Sequence, residues 1–499
     1  MTEPIQSIVI VGGGTSGWIA AASLSKYLGK TVNITLVESD AIGTVGVGEA
    51  TIPQIRKLNG TLGLDEAEFV RATKGSFKLG IEFNDWGRLG ESYLHTFGDP
   101  GLDLAGLKFH HYWLRAKLSG GSEASLWDYS LHNRAAYAHK FAPLQKVGNT
   151  QMGGLSYAYH FDAGLYAKHL RNLAENLGVN RHEGRVVDVI LDAETGFIES
   201  VKLESGDFIH GDFFIDCSGF RGLLIGDALN VEYEDWSKYL PCNRAVAVAC
   251  KNTKPLLPYT KSTAREAGWQ WRIPLQHRTG NGHVFCDGFT TPDEATDRLV
   301  ESLDGDIIGS PKQLSFTTGR RQDFWSKNCV SLGLSSGFLE PLESTSIHFV
   351  QSHVSRLLEF FPDKNCGSAT RAEYNRIVGK EFELVRDFLV LHYKQTKRDD
   401  SEFWRHCRDM AVPDSLIHKM ELFKETGHIY REIDDIFRES SWAQVMIGQG
   451  LIPKSYHRMA DKLSSDQLSR FLTDVDSLIS QTVEPLPTHA EFIAKNVTA

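Results

Sequence analysis

Three glycines near the start of the chain have a spacing that suits phosphate binding. They form the pattern G-x-G-x-x-G over Gly12–Gly17. In such a pattern Gly12 permits a tight turn, Gly14 lets the backbone approach a pyrophosphate, and Gly17 allows a helix to pack closely on a strand. Glu38 ends the next apolar run, where it is placed to accept hydrogen bonds from ribose hydroxyls. Together these residues predict a dinucleotide site.

Two strands and one helix would position these residues. Residues 7–12 are an apolar, β-branched run typical of a strand that is buried on both faces. Residues 18–28 predict an alanine-rich helix, and residues 32–38 predict a second strand. Thr15 and Ser16 lie at the start of the helix, where free N–H groups and the positive dipole end favour a phosphate. This order of elements favours a dinucleotide-binding fold over an isolated glycine turn.

Lys78 lies in a second pattern, a strictly alternating run over residues 77–83. Four apolar side chains share one face of the predicted strand, and Lys78, Gly80 and Glu82 share the other. A lysine on the polar face of a strand is ordinarily a solvated surface residue. Periodicity alone therefore gives Lys78 no chemical role.

The overall composition excludes several classes of protein. The 499 residues are 41% hydrophobic and 23% charged, a globular mixture that excludes global disorder. The net charge of −10 argues against a nucleic-acid partner. No apolar stretch is long enough to span a membrane and no signal-peptide pattern opens the chain, so we expect a cytoplasmic protein.

Neither the cysteines nor the histidines form a recognisable metal site. The seven cysteines are scattered without a C-x-x-C pair, which fits reduced and buried thiols. His160-Phe-Asp162 has the H-x-D form of iron oxygenases, but that form arises often by chance and we expect His160 to open a helix. We therefore predict that the protein holds no metal ion.

Five separated segments complete the set of motifs. They are Gly12–Gly17 followed by Trp18, Gly46–Pro53 (G-V-G-E-A-T-I-P), Ser76–Lys78, Trp269–Pro274 (W-x-W-x-I-P), and Gly337–Thr345 (G-F-L-E-P-L-E-S-T). These segments span roughly two-thirds of the chain. Their combination resembles the flavin-dependent halogenases of the tryptophan/indole type.

The resemblance implies FAD, bound in its reduced form FADH2, with oxygen and halide as co-substrates. A separate NAD(P)H flavin reductase is expected to supply the reduced flavin, because the chain has only one convincing dinucleotide fingerprint. In such enzymes flavin hydroperoxide and halide give hypohalous acid. Free hypohalous acid reacts indiscriminately, so the protein must confine it and present it to one carbon of the substrate.

Lys78 matches the family lysine that delivers hypohalous acid to the substrate. Its ammonium group could hydrogen-bond and polarise the acid, or a neutral amine could form a haloamine. The second route needs a buried site, because the pKa of a free lysine is about 10.4. Glu343 matches the family acid, which could orient the halogenating species and take the proton from the arenium intermediate. Ser344 beside it is expected to position the backbone at the substrate site.

The resemblance also implies a halide site at the backbone amides of Thr345 and Ser346, where a helix begins. The family pattern reads Glu-Ser-Thr-Gly, and this chain has Ser346 at the place of the glycine. The serine still supplies an amide. The preference between chloride and bromide therefore stays open.

The remaining site residues follow from the same match. Trp269 and Trp271 share one strand face and would separate the flavin from the substrate. His95 and Phe97 form the His-x-Phe of the substrate pocket. No Asn-Tyr-Tyr segment for an amino-acid backbone is recognisable around residues 441–450. Indole, a substituted indole or another electron-rich aromatic thus stays as open as tryptophan. Further implied flavin contacts are Glu49, Ala50, Val187, Leu334 and Ile347.

We therefore predict an α/β fold of the FAD-binding, Rossmann-like type (glutathione-reductase/flavin-monooxygenase type). It would carry an antiparallel sheet from residues 244–320 and a mainly helical C-terminal part, with a loop-rich insertion at residues 86–155. Residues 1–90 with 151–365 would form a discontinuous FAD-binding part, and residues 91–150 with 366–499 a loop-rich and helical substrate-side part of one intertwined unit. The oligomeric state, a homodimer included, stays open.

Two other functions also stay open. A flavin-dependent aromatic hydroxylase could share the fold, but it would need its own nicotinamide site and an open path from flavin to substrate. The W-x-W-x-I-P segment argues against both. A non-catalytic flavin-binding protein would have no use for the pair of Lys78 and Glu343.

Overall fold

The computed structural model describes residues 3–42, 48–253 and 255–497. Residues 43–47 lie outside the described residues, and they include Gly46 of the G-V-G-E-A-T-I-P segment.

The chain divides into two compact units, each assembled from three segments. The first unit comprises Met1–Gly75, Phe161–Ser237 and Phe316–Glu383, and the second comprises Ser76–His160, Lys238–Ser315 and Leu384–Ala499. These boundaries differ from the division expected from the sequence. The large antiparallel sheet belongs with the C-terminal helices, because it hydrogen-bonds to strands at 80–96 rather than to the glycine-containing sheet.

The first unit is built on a six-stranded sheet with the strand before Gly12 at its centre. In spatial order its strands are Asn180–Glu183, Asn33–Glu38, Ser7–Val11, Phe213–Asp216, Cys329–Ser331 and Trp325–Ser326. The first five run parallel, and the last pairs antiparallel with its neighbour. Ile8, Val9, Ile10 and Val11 are at most 4% exposed, as expected of a strand covered on both faces.

Helix Thr15–Leu28 follows this central strand and is itself deeply buried. Its residues from Gly17 to Ser25 are buried, because its alanines let it pack between helices Ala163–Asn176 and Ser346–Glu359. The predicted order of strand, glycine turn, helix, strand and acid is confirmed.

Smaller elements complete the first unit. Two three-stranded sheets consist of Val186–Leu191, Ile198–Leu203 and Phe208–His210, and of Tyr233–Asp235, Gly319–Arg321 and Gly337–Phe338. Other helices are Gln54–Leu62 and Glu66–Ala72, together with the first part of the long helix Ser368–Lys394. Helix Ser346–Glu359 begins just after Ser344, which is left-handed with φ 61° and so does not join the helix.

The second unit contains a seven-stranded sheet. Its strands, in spatial order, are Ile307–Ser315, Arg244–Cys250, Thr279–Phe285, Gly268–Pro274, Thr260–Arg265, Gly80–Asn84 and Ser92–Thr96. All neighbours pair antiparallel except Thr260–Arg265 with Gly80–Asn84, which run parallel.

Helices account for much of the rest of the second unit. They are Phe109–Leu118, Leu131–Tyr137, Pro292–Glu301, Glu402–Asp409, Asp414–Thr426, Glu439–Gly448, Ser465–Val483 and His489–Asn496. The helical C-terminal part is confirmed. The stretch 86–155, expected as a loop-rich insertion, also supplies strand Ser92–Thr96 and the first two of these helices. Their mixed aromatic and histidine composition had hidden the helical period.

The predicted strand at 77–83 is two strands in two different sheets. Ser76–Lys78 pairs antiparallel with Ala158–Phe161, and Gly80–Asn84 joins the seven-stranded sheet. Both faces of both strands are covered, and Lys78 is 0% exposed. Lys78 is therefore not the solvated surface residue that a lysine on the polar face of a strand ordinarily is.

His160 also differs from expectation, because it lies inside strand Ala158–Phe161 rather than at the start of a helix. Asp162 takes the helix start instead. Its carboxylate accepts a hydrogen bond from the backbone N–H of Leu165 at 3.1 Å and caps helix Ala163–Asn176.

We predict that acid destabilises this fold between about pH 7 and pH 4. Burial lowers the pKa of His132, His283, His353 and His489 to about 4 each, from an ordinary value near 6.5. The unfolded chain binds more protons across this window, so the free energy of unfolding falls as the pH falls. The loss should be on the order of a few kcal/mol per histidine. Burial also raises the pKa of Glu49 to about 7, which by itself makes the free energy of unfolding rise as the pH falls. This single group opposes the effect of four histidines and does not cancel it.

Urea unfolding followed by tryptophan fluorescence at pH 7.5 and pH 5 would measure this loss. A midpoint that does not move between these two pH values would contradict the prediction.

Candidate active site

The glycine turn of the first unit leaves no room for side chains at two of its positions. A Cβ on Gly12 would lie 2.2 Å from the carbonyl oxygen of Cys217, and the φ of Gly12 is 116°. A Cβ on Gly17 would lie 1.9 Å from the carbonyl oxygen of Gly12. Gly14 is different: no described atom lies within 4 Å of a Cβ built there. Gly12 and Gly17 thus serve the turn, and Gly14 faces open space.

The start of helix Thr15–Leu28 has the features of an anion site. Its N-cap is Gly14, and no side chain among the described residues caps it. Thr15 and Ser16 occupy the first turn, and the helix dipole adds positive potential there. A Cβ on Gly333 would lie 2.3 Å from Ser16 Oγ, so the turn that carries Leu334 adjoins this helix start.

Glu38 lies directly beside the glycine turn. A Cβ on Gly13 would overlap its carboxylate. The same carboxylate accepts a hydrogen bond from Arg181 Nε at 2.6 Å and lies 3.5 Å from Arg171 Nη1. Sequence reasoning missed both arginines, because only the fold brings them to the end of this strand. These contacts orient the Glu38 carboxylate, as an acceptor of hydroxyl hydrogen bonds requires.

The other predicted flavin contacts also fall in the first unit, in different environments. Glu49 and Ala50 form a two-residue strand, and burial raises the pKa of Glu49 to about 7. Ile347 is buried in the first turn of helix Ser346–Glu359. Val187 and Leu334 are exposed.

The segment before helix Ser346–Glu359 is buried and tightly turned. Glu343 is 0% exposed at the end of a 3₁₀ turn, and Ser344 follows in the left-handed conformation, which is uncommon for a residue other than glycine. Thr345 is the N-cap, yet its side chain does not cap the helix. Its buried Oγ1 has no hydrogen-bond partner among the described residues. A buried hydroxyl therefore lies beside the first backbone amides of a helix, and no described residue accepts a hydrogen bond from it.

Glu381 fixes the helix that begins at Ser346, and sequence reasoning missed it. Its buried carboxylate accepts hydrogen bonds from His348 Nε2 at 2.9 Å and Ser352 Oγ at 2.8 Å, and Arg356 Nε lies 3.4 Å away. Burial alone would raise the pKa of Glu381, but His348 and the surrounding charges lower it to about 2. The i, i+4 spacing of the three partners was a usable signal.

Lys78 is the central candidate of the second unit. Its ammonium nitrogen lies 5.2 Å from the centre of the Phe97 ring, within reach of a cation–π contact. The N–H of Phe97 donates to the carbonyl of Leu79 at 3.0 Å, which fixes this ring beside the lysine strand. The structure thus brings Lys78 and Phe97 together, as both predicted roles require.

His95 lies in an aromatic cluster of the same unit. Its ring centre is 5.5 Å from that of Phe388 and 6.2 Å from that of Phe437. Phe388 in turn stacks on Phe437 at 3.8 Å and meets Trp442 edge-on at 4.8 Å. The sequence did not predict Phe388, Phe437 and Trp442, because they come from segments far along the chain, two of them from helices.

The two tryptophans of the W-x-W-x-I-P segment lie on strand Gly268–Pro274 with ring centres 6.0 Å apart. The glycine opposite, Gly282, makes room for Trp271: a Cβ there would lie 2.0 Å from the indole ring. The buried Nε1 of Trp271 has no hydrogen-bond partner among the described residues. Trp269 is packed against Trp86 at 6.3 Å.

None of the helices in the described part of the chain has the length and apolar content that crossing a bilayer requires. The candidate residues divide between the two units. Lys78, His95, Phe97, Trp269 and Trp271 belong to the second, and Glu343 to Ile347 and the glycine turn belong to the first.

Known proteins resemble this chain along most of its length. The tryptophan halogenase family model matches residues 7–465. A flavin-dependent halogenase from Xanthomonas campestris has a solved structure with a TM-score of 0.95 and 46% identity, covering 99% of this chain and 98% of its own. The flavin-dependent halogenase BrvH from Brevundimonas sp. BAL3 has a TM-score of 0.95 and 43% identity, covering 99% of both chains.

A curated relative agrees with these structures. The tryptophan 6-halogenase ThaL of Streptomyces albogriseolus is 36% identical over 91% of each chain. The mixed α/β fold is that of flavin-dependent halogenases. The sequence resemblance is confirmed: the chain is an enzyme of the flavin-dependent tryptophan halogenase family.

Proposed function

We propose that this enzyme halogenates an indole-like, electron-rich aromatic with chloride or bromide, and that Lys78 delivers the halogen. The observation that carries the proposal is the complete burial of Lys78 beside the ring of Phe97. A buried lysine within reach of an aromatic ring is held where a reactive oxidant and an aromatic substrate could meet without water. The family membership supports the same role.

The first unit fits FAD by its own geometry. Open space at Gly14, an uncapped helix start and the oriented carboxylate of Glu38 suit a pyrophosphate and a ribose. The parallel sheet with its glycine turn supports the Rossmann-like, FAD-binding assignment. Bound as FADH2, the flavin would supply, with oxygen, the oxidising power that turns halide into hypohalous acid. We propose that a separate flavin reductase provides FADH2.

The protein's own groups would bind and direct the reactants. The amides of Thr345 and Ser346 and the unpartnered hydroxyl of Thr345 suit a halide ion. Lys78 would either hydrogen-bond the hypohalous acid as an ammonium or carry the halogen as a haloamine. Glu343, buried next to the halide segment, would orient the halogenating species and take up the proton that leaves the substrate ring. Trp269 and Trp271 would restrict access between flavin and substrate.

The aromatic cluster around His95 suits a flat apolar substrate. Lys419 lies 3.9 Å from the centre of the Trp442 ring of this cluster and is already 3.4 Å from the carboxylate of Asp435. Its charge is therefore compensated, and it offers little to the carboxylate of a free amino acid. We thus favour indole or a substituted indole over tryptophan, the substrate named for the curated relatives.

The function test supplies FAD, a flavin reductase, NADH, oxygen and bromide with indole, and identifies the product by mass. Wild-type enzyme should give halogenated indole. Lys78→Ala should reduce product at least about 100-fold while flavin oxidation continues. Lys146→Ala, which removes an exposed lysine from another strand of the same unit, is the matched control and should behave as wild type. Hydroxylated product, or none across a panel of aromatics, would refute the proposal.

Removing the Thr345 hydroxyl should weaken halide binding without weakening the fold. Thr345→Val keeps the shape and deletes a buried hydroxyl that no described residue hydrogen-bonds, so the melting temperature should stay constant or rise. The KM for bromide should rise by about tenfold, because a hydrogen bond to an anion is lost. Thr473→Val, an exposed threonine of helix Ser465–Val483, is the control. An unchanged KM in Thr345→Val would remove Thr345 from the halide site.

Two glycine variants should separate flavin binding from folding. Gly14→Val adds a side chain in open space, so it should leave the melting temperature unchanged and weaken FAD binding at least about tenfold. Gly12→Ala should instead lower the melting temperature, because its Cβ would collide with the Cys217 carbonyl. Calorimetric titration with FAD and a thermal scan measure both. Normal FAD affinity in Gly14→Val would contradict the assignment of the pyrophosphate site.

A further inference from the structure

The short strand that carries Lys78 is anchored on one side by a buried histidine. The hydroxyl of Ser76 donates to the carbonyl of Pro274 at 2.8 Å and lies 3.0 Å from His160 Nδ1. Because its only hydrogen goes to the carbonyl, Ser76 accepts from the Nδ1–H of His160. The Nε2 of His160 then accepts from the Thr260 hydroxyl at 2.9 Å. Both nitrogens of this fully buried ring are used, and the ring is neutral.

A second buried histidine holds the backbone next to Lys78. The N–H of Phe77 donates to Nε2 of His489 at 3.0 Å, and the Nδ1–H of His489 donates to the carbonyl of Leu256 at 3.0 Å. His489 is 0% exposed. Its lone pair is the acceptor for the amide that immediately precedes Lys78, so this ring must also be neutral.

His489 is itself held firmly, as the first residue of helix His489–Asn496. Thr488 caps that helix and Glu491 closes the capping box. The N–H of His489 donates to the carbonyl of His139 at 2.8 Å. From the next turn Phe492 packs edge-on against the Phe77 ring at 5.3 Å. The tryptophan halogenase model ends at residue 465, before this helix begins.

We propose that His489 is a positioning residue for the halogen transfer at Lys78, acting through the backbone N–H of Phe77. The inference rests on the proposed function of Lys78. A strand of only three residues has little pairing of its own, so it depends on anchors at its ends. Ser76 holds it before Phe77, and the N–H of Leu79, which donates to the carbonyl of Pro258 at 2.7 Å, holds it after Lys78. The acceptor at His489 fixes the backbone one residue before Lys78. Without this acceptor the N–H of Phe77 must find another partner, and the strand shifts. The side chain of Lys78 then no longer holds the hypohalous acid next to the reacting carbon of the substrate.

The expected defect is leakage rather than loss of oxidation. Flavin and halide bind elsewhere in the proposed scheme, so hypohalous acid should still form at the normal rate. It should then escape in place of reacting with bound substrate. A 1,3-diketone is added to the solution as a scavenger for hypobromous acid. The measurement is the ratio of brominated indole to brominated diketone.

Two variants test the acceptor itself. His489→Gln offers a side-chain carbonyl to Phe77 and an amide N–H to Leu256, whereas His489→Phe keeps the ring shape without an acceptor. We expect His489→Phe to shift the partition towards the scavenger by about tenfold or more, and His489→Gln to retain about half or more of the normal partition. His418→Phe changes an exposed histidine and serves as the control. It should give the same partition as wild type.

The outcomes separate the two proposals. If wild type forms no brominated indole, the proposed function fails. If wild type halogenates and His489→Phe partitions as wild type, or if His489→Gln leaks as much as His489→Phe, the positioning role is overturned. Should His489→Phe not fold, Ser76→Ala removes the opposite anchor with a smaller change. Leakage from Ser76→Ala supports positioning of the strand, and a normal partition overturns it.

Discussion

The burial of the Lys78 side chain is the constraint around which the second unit is arranged. Moving a charged ammonium group from water into a protein interior costs on the order of several kcal/mol of free energy. The fold therefore has to hold the Lys78 side chain in one place. The lysine strand is too short to do so alone. Its neighbours are tied instead to buried histidines at positions 160 and 489, and its side chain lies beside Phe97. Elements from several parts of the unit thus converge on one buried lysine.

A different constraint shapes the first unit, where backbone groups rather than side chains would do most of the binding in the proposed function. Gly12 and Gly17 allow close backbone approach, and the left-handed Ser344 turns the chain into a helix whose start lies at Ser346. Glu381 fixes that helix through three partners spaced along one face. A helix start that is held from behind can keep its amides aligned for an anion.

The sequence was sufficient where the rule is local. The glycine spacing, the flanking strands and the acid at Glu38 predicted the order of elements correctly, because each depends on its neighbours in the chain. The motif combination also identified the family. The burial of Lys78 could not be predicted from alternation, since it depends on strands at 158 and 260 and on a helix at 489. The same reason hid Glu381 and the aromatic partners of His95.

The helical elements within 86–155 were missed for a related reason. Their apolar positions are filled with histidine and aromatic residues that pack against distant helices, so the sequence lacked the simple helical period. Long-range packing overrode local pattern in each of these cases.

In the proposed function the oxidised halogen stays confined on its way to the substrate. Competition in the wild-type enzyme tests it directly: the yield of brominated indole is measured as the concentration of a soluble 1,3-diketone scavenger increases. Confinement by Lys78 predicts a yield that does not change with scavenger concentration. A yield that falls in proportion to the scavenger would mean that hypohalous acid reacts free in solution, and would contradict the account.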